Sequence, residues 1–97
     1  MQAAALRIEL RIPGAQSLKA KRAVLRPLVE GMKRLASLSV AEVDHHDAWQ
    51  RAAVGVAAVA PDQAHLDRLL TGVRRYLDEC FEVEVLEIGL TYLEEPS

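Results

Sequence analysis

The chain has one cysteine, four aromatic residues (one Trp, one Phe, two Tyr) and no apolar run near the ~20 residues that a membrane-crossing helix needs. Each scarcity excludes something. The lone Cys80 rules out an internal disulfide and any zinc knuckle built on cysteines. It falls near the end of a helical stretch and reads as a buried, inert thiol. With 51% hydrophobic residues and so few rings, the core must be largely aliphatic. Residues 1–12 alternate instead of forming a charged head and an apolar plug, so no secretory leader is expected and the location expected is cytoplasmic. Ninety-seven residues suffice for a single domain, 1–97, with one core.

Positive charge is slightly outweighed, twelve Lys/Arg against fourteen Asp/Glu for a net −2, and it is unevenly spread. Residues 1–48 hold eight Lys/Arg against five Asp/Glu (+3), and residues 49–97 hold four against nine (−5). A general nucleic-acid coat protein needs a large positive field, which this chain lacks. Any phosphate-binding patch must therefore come from the first half.

The hydrophobic pattern alternates between two periods. "AALRIELRIP" (3–12) puts Ala4, Leu6, Ile8, Leu10 and Ile12 on one side and Ala5, Arg7, Glu9 and Arg11 on the other, which predicts a strand with one covered face. Pro13-Gly14 ends it, and Ser17 is placed to cap a helix. Over 18–36, Leu18, Leu25, Leu28, Val29, Met32 and Leu35 form a helical stripe, with Pro27 on the opposite side, where it bends the helix without ending it. "LSVAEV" (38–43) and "WQRAAVGVAAVA" (49–60) read as strands joined by Asp44–Ala48. Asp62 opens a second helix with Leu66, Leu69, Leu70, Val73 and Leu77 buried. "EVEVLEIGLTYL" (82–93) is a fourth strand with Leu86, Ile88, Leu90 and Tyr92 on one side.

The order βαββαβ predicts an α+β, ferredoxin-like fold. Right-handed crossovers place strands one and three at the centre of a four-stranded antiparallel sheet, with both helices on one face.

"SLKAKR" (17–22) and "SVAEVDHHDAWQRAAVGVAAVA" (39–60), in that order of elements, resemble the YlxP-like family, small bacterial proteins classed as a domain of unknown function. The resemblance spans nearly the whole chain. It implies a ferredoxin-like cytoplasmic bacterial protein and, because some members are encoded beside transcription and translation factors, a connection to RNA or the ribosome. It brings no catalytic residues. The chain departs from the family pattern at Ala20, where an acidic residue often completes the capping box, at His46, commonly Gln, and at Pro27.

Four sets of residues invite a functional reading. Asp44-His45-His46-Asp47 could ligate a metal, but an extended chain pairs Asp44 with His46 and His45 with Asp47, two ligands a side, where catalytic zinc takes three. A solvated turn is the favoured reading, with no metal and no cofactor. Trp49 either stacks on a base or anchors the hairpin by packing, and in a ring-poor chain packing is favoured. On helix one, Lys19, Arg22, Arg26 and Lys33 lie within about 60° of one another, and Lys21 projects into the apolar stripe. That lysine must snorkel, pair with a carboxylate, or await an anionic partner. Last, Ala53, Gly55, Ala57 and Val59 make a small apolar row on the open sheet face, either a partner surface or a flat face with Arg7 and Arg11 laid across it.

The leading expectation is a non-enzymatic accessory protein that binds RNA or a ribosomal surface through Lys19, Lys21, Arg22, Arg26 and Lys33. The alternative is a protein–protein module that dimerises or docks a partner over Ala53, Gly55, Ala57 and Val59. No Gly-rich phosphate loop, acid–base pair or activated nucleophile points to an enzyme or to a small-molecule substrate.

Overall fold

A computed structural model describes residues 1–96 and gives the order β1 (Gln2–Arg11), α1 (Leu18–Lys33), β2 (Leu38–Asp44), β3 (Arg51–Ala60), α2 (Gln63–Asp78) and β4 (Glu84–Leu93). The sheet order is β2-β3-β1-β4 and every pairing is antiparallel, so β1 and β3 are central as expected. This is the ferredoxin-like α+β arrangement, with both helices on one face of the sheet.

The alternation of β1 decides which face is covered. Ala4, Leu6, Ile8 and Leu10 are buried under the helices while Arg7 and Arg11 are exposed on the other face. Ser17 caps α1, its Oγ accepting the Ala20 amide at 3.0 Å, and Asp62 caps α2 through the His65 amide at 2.8 Å. Both caps satisfy amides that the first helical turn leaves without partners. Leu25, Leu28 and Met32 of α1 meet Leu66, Leu70, Val73 and Leu77 of α2 in one aliphatic core over Ile8, Leu10 and Val54. α1 runs through Pro27 unbroken, because the ring lies on the exposed side. It stops at Lys33, earlier than the periodicity predicts, which leaves Leu35 44% exposed instead of in the core stripe.

At Gly31 the two helices approach closely. The Tyr76 hydroxyl donates to the Leu28 carbonyl at 2.9 Å, and a Cβ on Gly31 would collide with that same hydroxyl. A residue with a side chain here would force the Tyr76 ring aside and break its bond to the Leu28 carbonyl. The helices as a pair sit over β1, β2 and β3, and the main neighbour of β4 is β1. Leu90 and Tyr92, in register with the buried Leu6 and Ala4, share the helix side of the sheet yet stay 36% and 53% exposed, where alternation alone predicts a covered face, and Leu86, at a register shift against β1, is 48% exposed. No described helix is long and apolar enough to cross a membrane.

Candidate functional site

The basic residues of α1 divide into three situations. Lys19, Arg22 and Arg26 are exposed, form no ion pair among the described residues, and line one shallow depression with Ala23 and Pro27. Lys33 is exposed on the same side of the helix but is held to Glu30 at 3.3 Å. Lys21 is different: only 2% of its side chain is exposed. Its Nζ donates to the His45 carbonyl at 2.7 Å and lies 3.0 Å from Glu42 Oε2. That second contact is an ion pair without hydrogen-bond geometry, which leaves the buried Glu42 Oε2 with charge compensation but no donor. Of the three fates open to a lysine in an apolar stripe, pairing with a carboxylate is the one realised. Lys21 is therefore removed from the surface set, because an ammonium enclosed in this way has no face left for a phosphate.

The same lysine braces the β2–β3 hairpin. His45 has φ 61°, a left-handed conformation that non-glycine residues adopt uncommonly, and it ends the extended run of β2. Its amide donates to Asp44 Oδ1 at 2.7 Å, and its carbonyl accepts from the Ala48 amide at 3.0 Å as well as from Lys21. Strand alternation stops at His45, so the pairings expected of an extended segment do not form. His45 Nε2 turns to Glu9 Oε2 at 3.1 Å, whereas His46 Nε2 lies 3.9 Å from Glu42 Oε1. The two imidazoles serve different carboxylates on opposite faces of the sheet.

Glu9 is the hub of the open face. Its carboxylate accepts from Arg7 at 3.1 Å, from Arg51 at 3.2 Å and from His45, whose Nε2 must carry the proton because an ionised carboxylate only accepts. Burial pushes the Glu9 pKa up, but the hydrogen bonds from Arg7, Arg51 and His45 outweigh it and hold the group below the ordinary carboxylate value. Asp44 is lowered too, first by the His45 amide and then by Arg7.

Arg7 also reaches Asp44 at 2.9 Å. Arg7 belongs to β1 and Asp44 to β2, and β3 lies between them, so the bridge passes over β3. This revises the reading of the small-residue row. Ala53, flanked in register by Glu9 and Asp44, is fully buried, and a Cβ on Gly55 would lie 2.9 Å from Val43 Cγ1. These two residues are small because the chain's own side chains cover them. Only Ala57 and Val59, the latter 58% exposed, remain open.

Trp49 stands outside β3, 54% exposed, and so does not supply the packed anchor expected of it. Cys80 is half-buried, its thiol directed at the Tyr76 carbonyl at 3.3 Å, and burial, then Glu79, pushes its pKa up, as an inert thiol requires. The pattern of single strands did not single out Glu9 or Glu42. The available signal was an acidic residue inside each otherwise apolar or basic strand, Glu9 between Arg7 and Arg11, and Glu42 between Ala41 and Val43.

Comparison with known proteins agrees with this architecture. Residues 3–89 match the family model described as a protein of unknown function, DUF503. The chain is 34% identical over 70 residues to the uncharacterized protein YlxP of Bacillus subtilis (strain 168), covering 72% of this chain and 76% of that protein. Among solved structures it is similar to a de novo designed protein, Foldit4, at a TM-score of 0.54 and 16% identity, over 97% of this chain and 99% of the other, a likeness of fold alone. By the extent of the family match and the identity to YlxP, the chain belongs to the DUF503, YlxP-like family.

Proposed function

We propose that this protein is a non-enzymatic RNA-binding accessory factor that grips the phosphate backbone through α1. The observation that carries the reading is the alignment of three unengaged cations on α1. Arg7, Arg11 and Arg51 on the sheet are all engaged by Glu9, Asp44 or Glu84, whereas Lys19, Arg22 and Arg26, like Arg34, Arg68, Arg74 and Arg75, are exposed and form no ion pair among the described residues, and the first three line one depression on α1. Their spacing of three and four residues aligns them over roughly 10 Å of helix. The open sheet face offers no aromatic platform for stacking bases, so binding rests on charge and is indifferent to sequence. A ribosomal surface, dense in phosphate, is the natural setting for such a grip.

The test is fluorescence anisotropy with a labelled single-stranded RNA across a salt series. Replacing Lys19, Arg22 and Arg26 by Ala should weaken binding equally for different sequences and flatten the log–log salt slope by about 2, at ~0.7 for each phosphate that is no longer neutralised. An unchanged affinity and slope would show the cations to be a solvated face and nothing more.

A second reading rests on Val59, an apolar residue 58% exposed near the end of the central strand β3, two residues from the exposed Ala57. In that reading this half of the open face docks a protein partner or a second copy, and Ala57→Arg abolishes the association.

A further inference from the structure

The outer edge of β4 combines three features. First, it is a long free edge: ten residues, Glu84–Leu93, with no Lys and no Pro to blunt it, against seven in the opposite edge strand β2; each edge strand carries one register shift, that of β4 at Leu86, which leaves Glu87–Leu93 regular. In an antiparallel strand every second residue turns its N–H and C=O away from its partner, so β4 presents a row of unpaired backbone groups on the side away from β1. Second, Leu90 and Tyr92 on the helix side of that edge are exposed, as is Leu86 at the register shift, because the main packing of both helices is on the other strands. Third, the segment that carries the edge is acidic, the cations near it being Arg7 and Arg11 of the neighbouring β1 and the N-terminal ammonium on Glu95. Residues 76–97 contain seven Asp/Glu and no Lys, Arg or His. Glu87, on the open side of β4, has no ion-pair partner among the described residues, and Glu84 has only Arg11 at 3.8 Å.

We infer that the β4 edge is a docking site for an extended, basic polypeptide segment that adds to the sheet as a fifth strand, its residues alternating apolar and Lys/Arg. The backbone edge supplies hydrogen bonds to any strand, and the pleat sorts the side chains. Every second residue of the guest falls on the helix side against Leu90 and Tyr92 and must be apolar. Those between fall on the open side near Glu84 and Glu87 and are selected for positive charge. A second copy of this chain is the poorer guest. Antiparallel self-pairing about Gly89 matches Leu86 with Tyr92 but sets Glu84 against Glu94 and joins two wholly acidic segments. This site is separate from α1 and stands whether or not α1 binds RNA.

The test uses the full chain and labelled nine-residue peptides in fluorescence anisotropy. A peptide alternating Val and Lys should bind, and one alternating Val and Glu should not. Two N-methylated versions of the Val–Lys peptide, blocked at the Val amides or at the Lys amides, should differ by about tenfold or more, because only one alternate set of amides faces the edge. Glu87→Lys and Leu90→Lys, both at exposed positions and checked for fold by circular dichroism, should each weaken the Val–Lys peptide by about tenfold. Equal binding of the Val–Lys and Val–Glu peptides, or of both methylated versions, would overturn the assignment. So would a dimer in sedimentation that Leu90→Lys splits while the Val–Lys peptide fails to bind, since a second copy would then own the edge.

Discussion

Replacing Lys21 with Met puts the internal electrostatics of this domain to a quantitative test. The substitution keeps the length and the apolar stem but removes an ammonium that is 2% exposed, hydrogen-bonded to the His45 carbonyl at 2.7 Å and 3.0 Å from Glu42 Oε2. Removing one partner of a fully buried ion pair costs about 3–5 kcal/mol, because the other charge is left without compensation. Glu42 keeps a quarter of its side chain in water and can relax, and the His45 carbonyl keeps the Ala48 amide, so the cost falls at or somewhat below the bottom of that range: about 2–3 kcal/mol. Against a total stability of roughly 5–15 kcal/mol for a domain, that is a large loss. The double variant Lys21→Met/Glu42→Leu removes both charges and should recover most of it. Urea unfolding followed by circular dichroism measures both, and hydrogen exchange at the Ala48 amide should quicken in the single variant as the turn loses its brace. A single variant within about 0.5 kcal/mol of the parent, or a double variant less stable than the single, would refute the account of a paired lysine pinning the hairpin.

Three further outcomes follow from particular contacts. Gly31→Ala should destabilise by about 1–3 kcal/mol despite the better helix propensity of Ala, and Tyr76→Phe in the same chain should relieve most of that cost, because the colliding group is the hydroxyl; thermal unfolding of the two single variants and the double gives the coupling. The pKa values of Glu9 and Asp44 are lowered on folding, so their contribution is present above the ordinary values of 4.5 and 3.8 and is lost as pH falls below them; urea midpoints should drop below pH 4.5, and Glu9→Gln should flatten that drop. Ala57→Arg should leave the circular dichroism spectrum intact because Ala57 is exposed, whereas Ala53→Arg, beneath the Arg7–Asp44 bridge, should unfold or strongly destabilise the domain. If the two variants behave alike, the small-residue row is not divided as described.

The architecture was legible in the sequence. The period-two run from Ala4 to Ile12, the caps at Ser17 and Asp62 and the helical stripes are local signals, each written within a dozen residues, and their order leaves one economical way to bury the apolar faces. Lys21 was legible as an anomaly, since a charge in an apolar stripe must find compensation, but not which carboxylate would supply it. Glu42, 21 residues further along the chain, comes to face Lys21 only when the helix packs on the sheet. Likewise the row Ala53, Gly55, Ala57, Val59 is uniform in sequence, yet the Arg7–Asp44 bridge and Val43 cover its first half and leave the second bare. The apolar side of β4 carries the same alternation as β1, and whether such a face is buried depends on where the helices come to rest. Periodicity reports which side chains share a face; what lies over that face depends on residues distant in the chain, and these meet only when the sheet has formed.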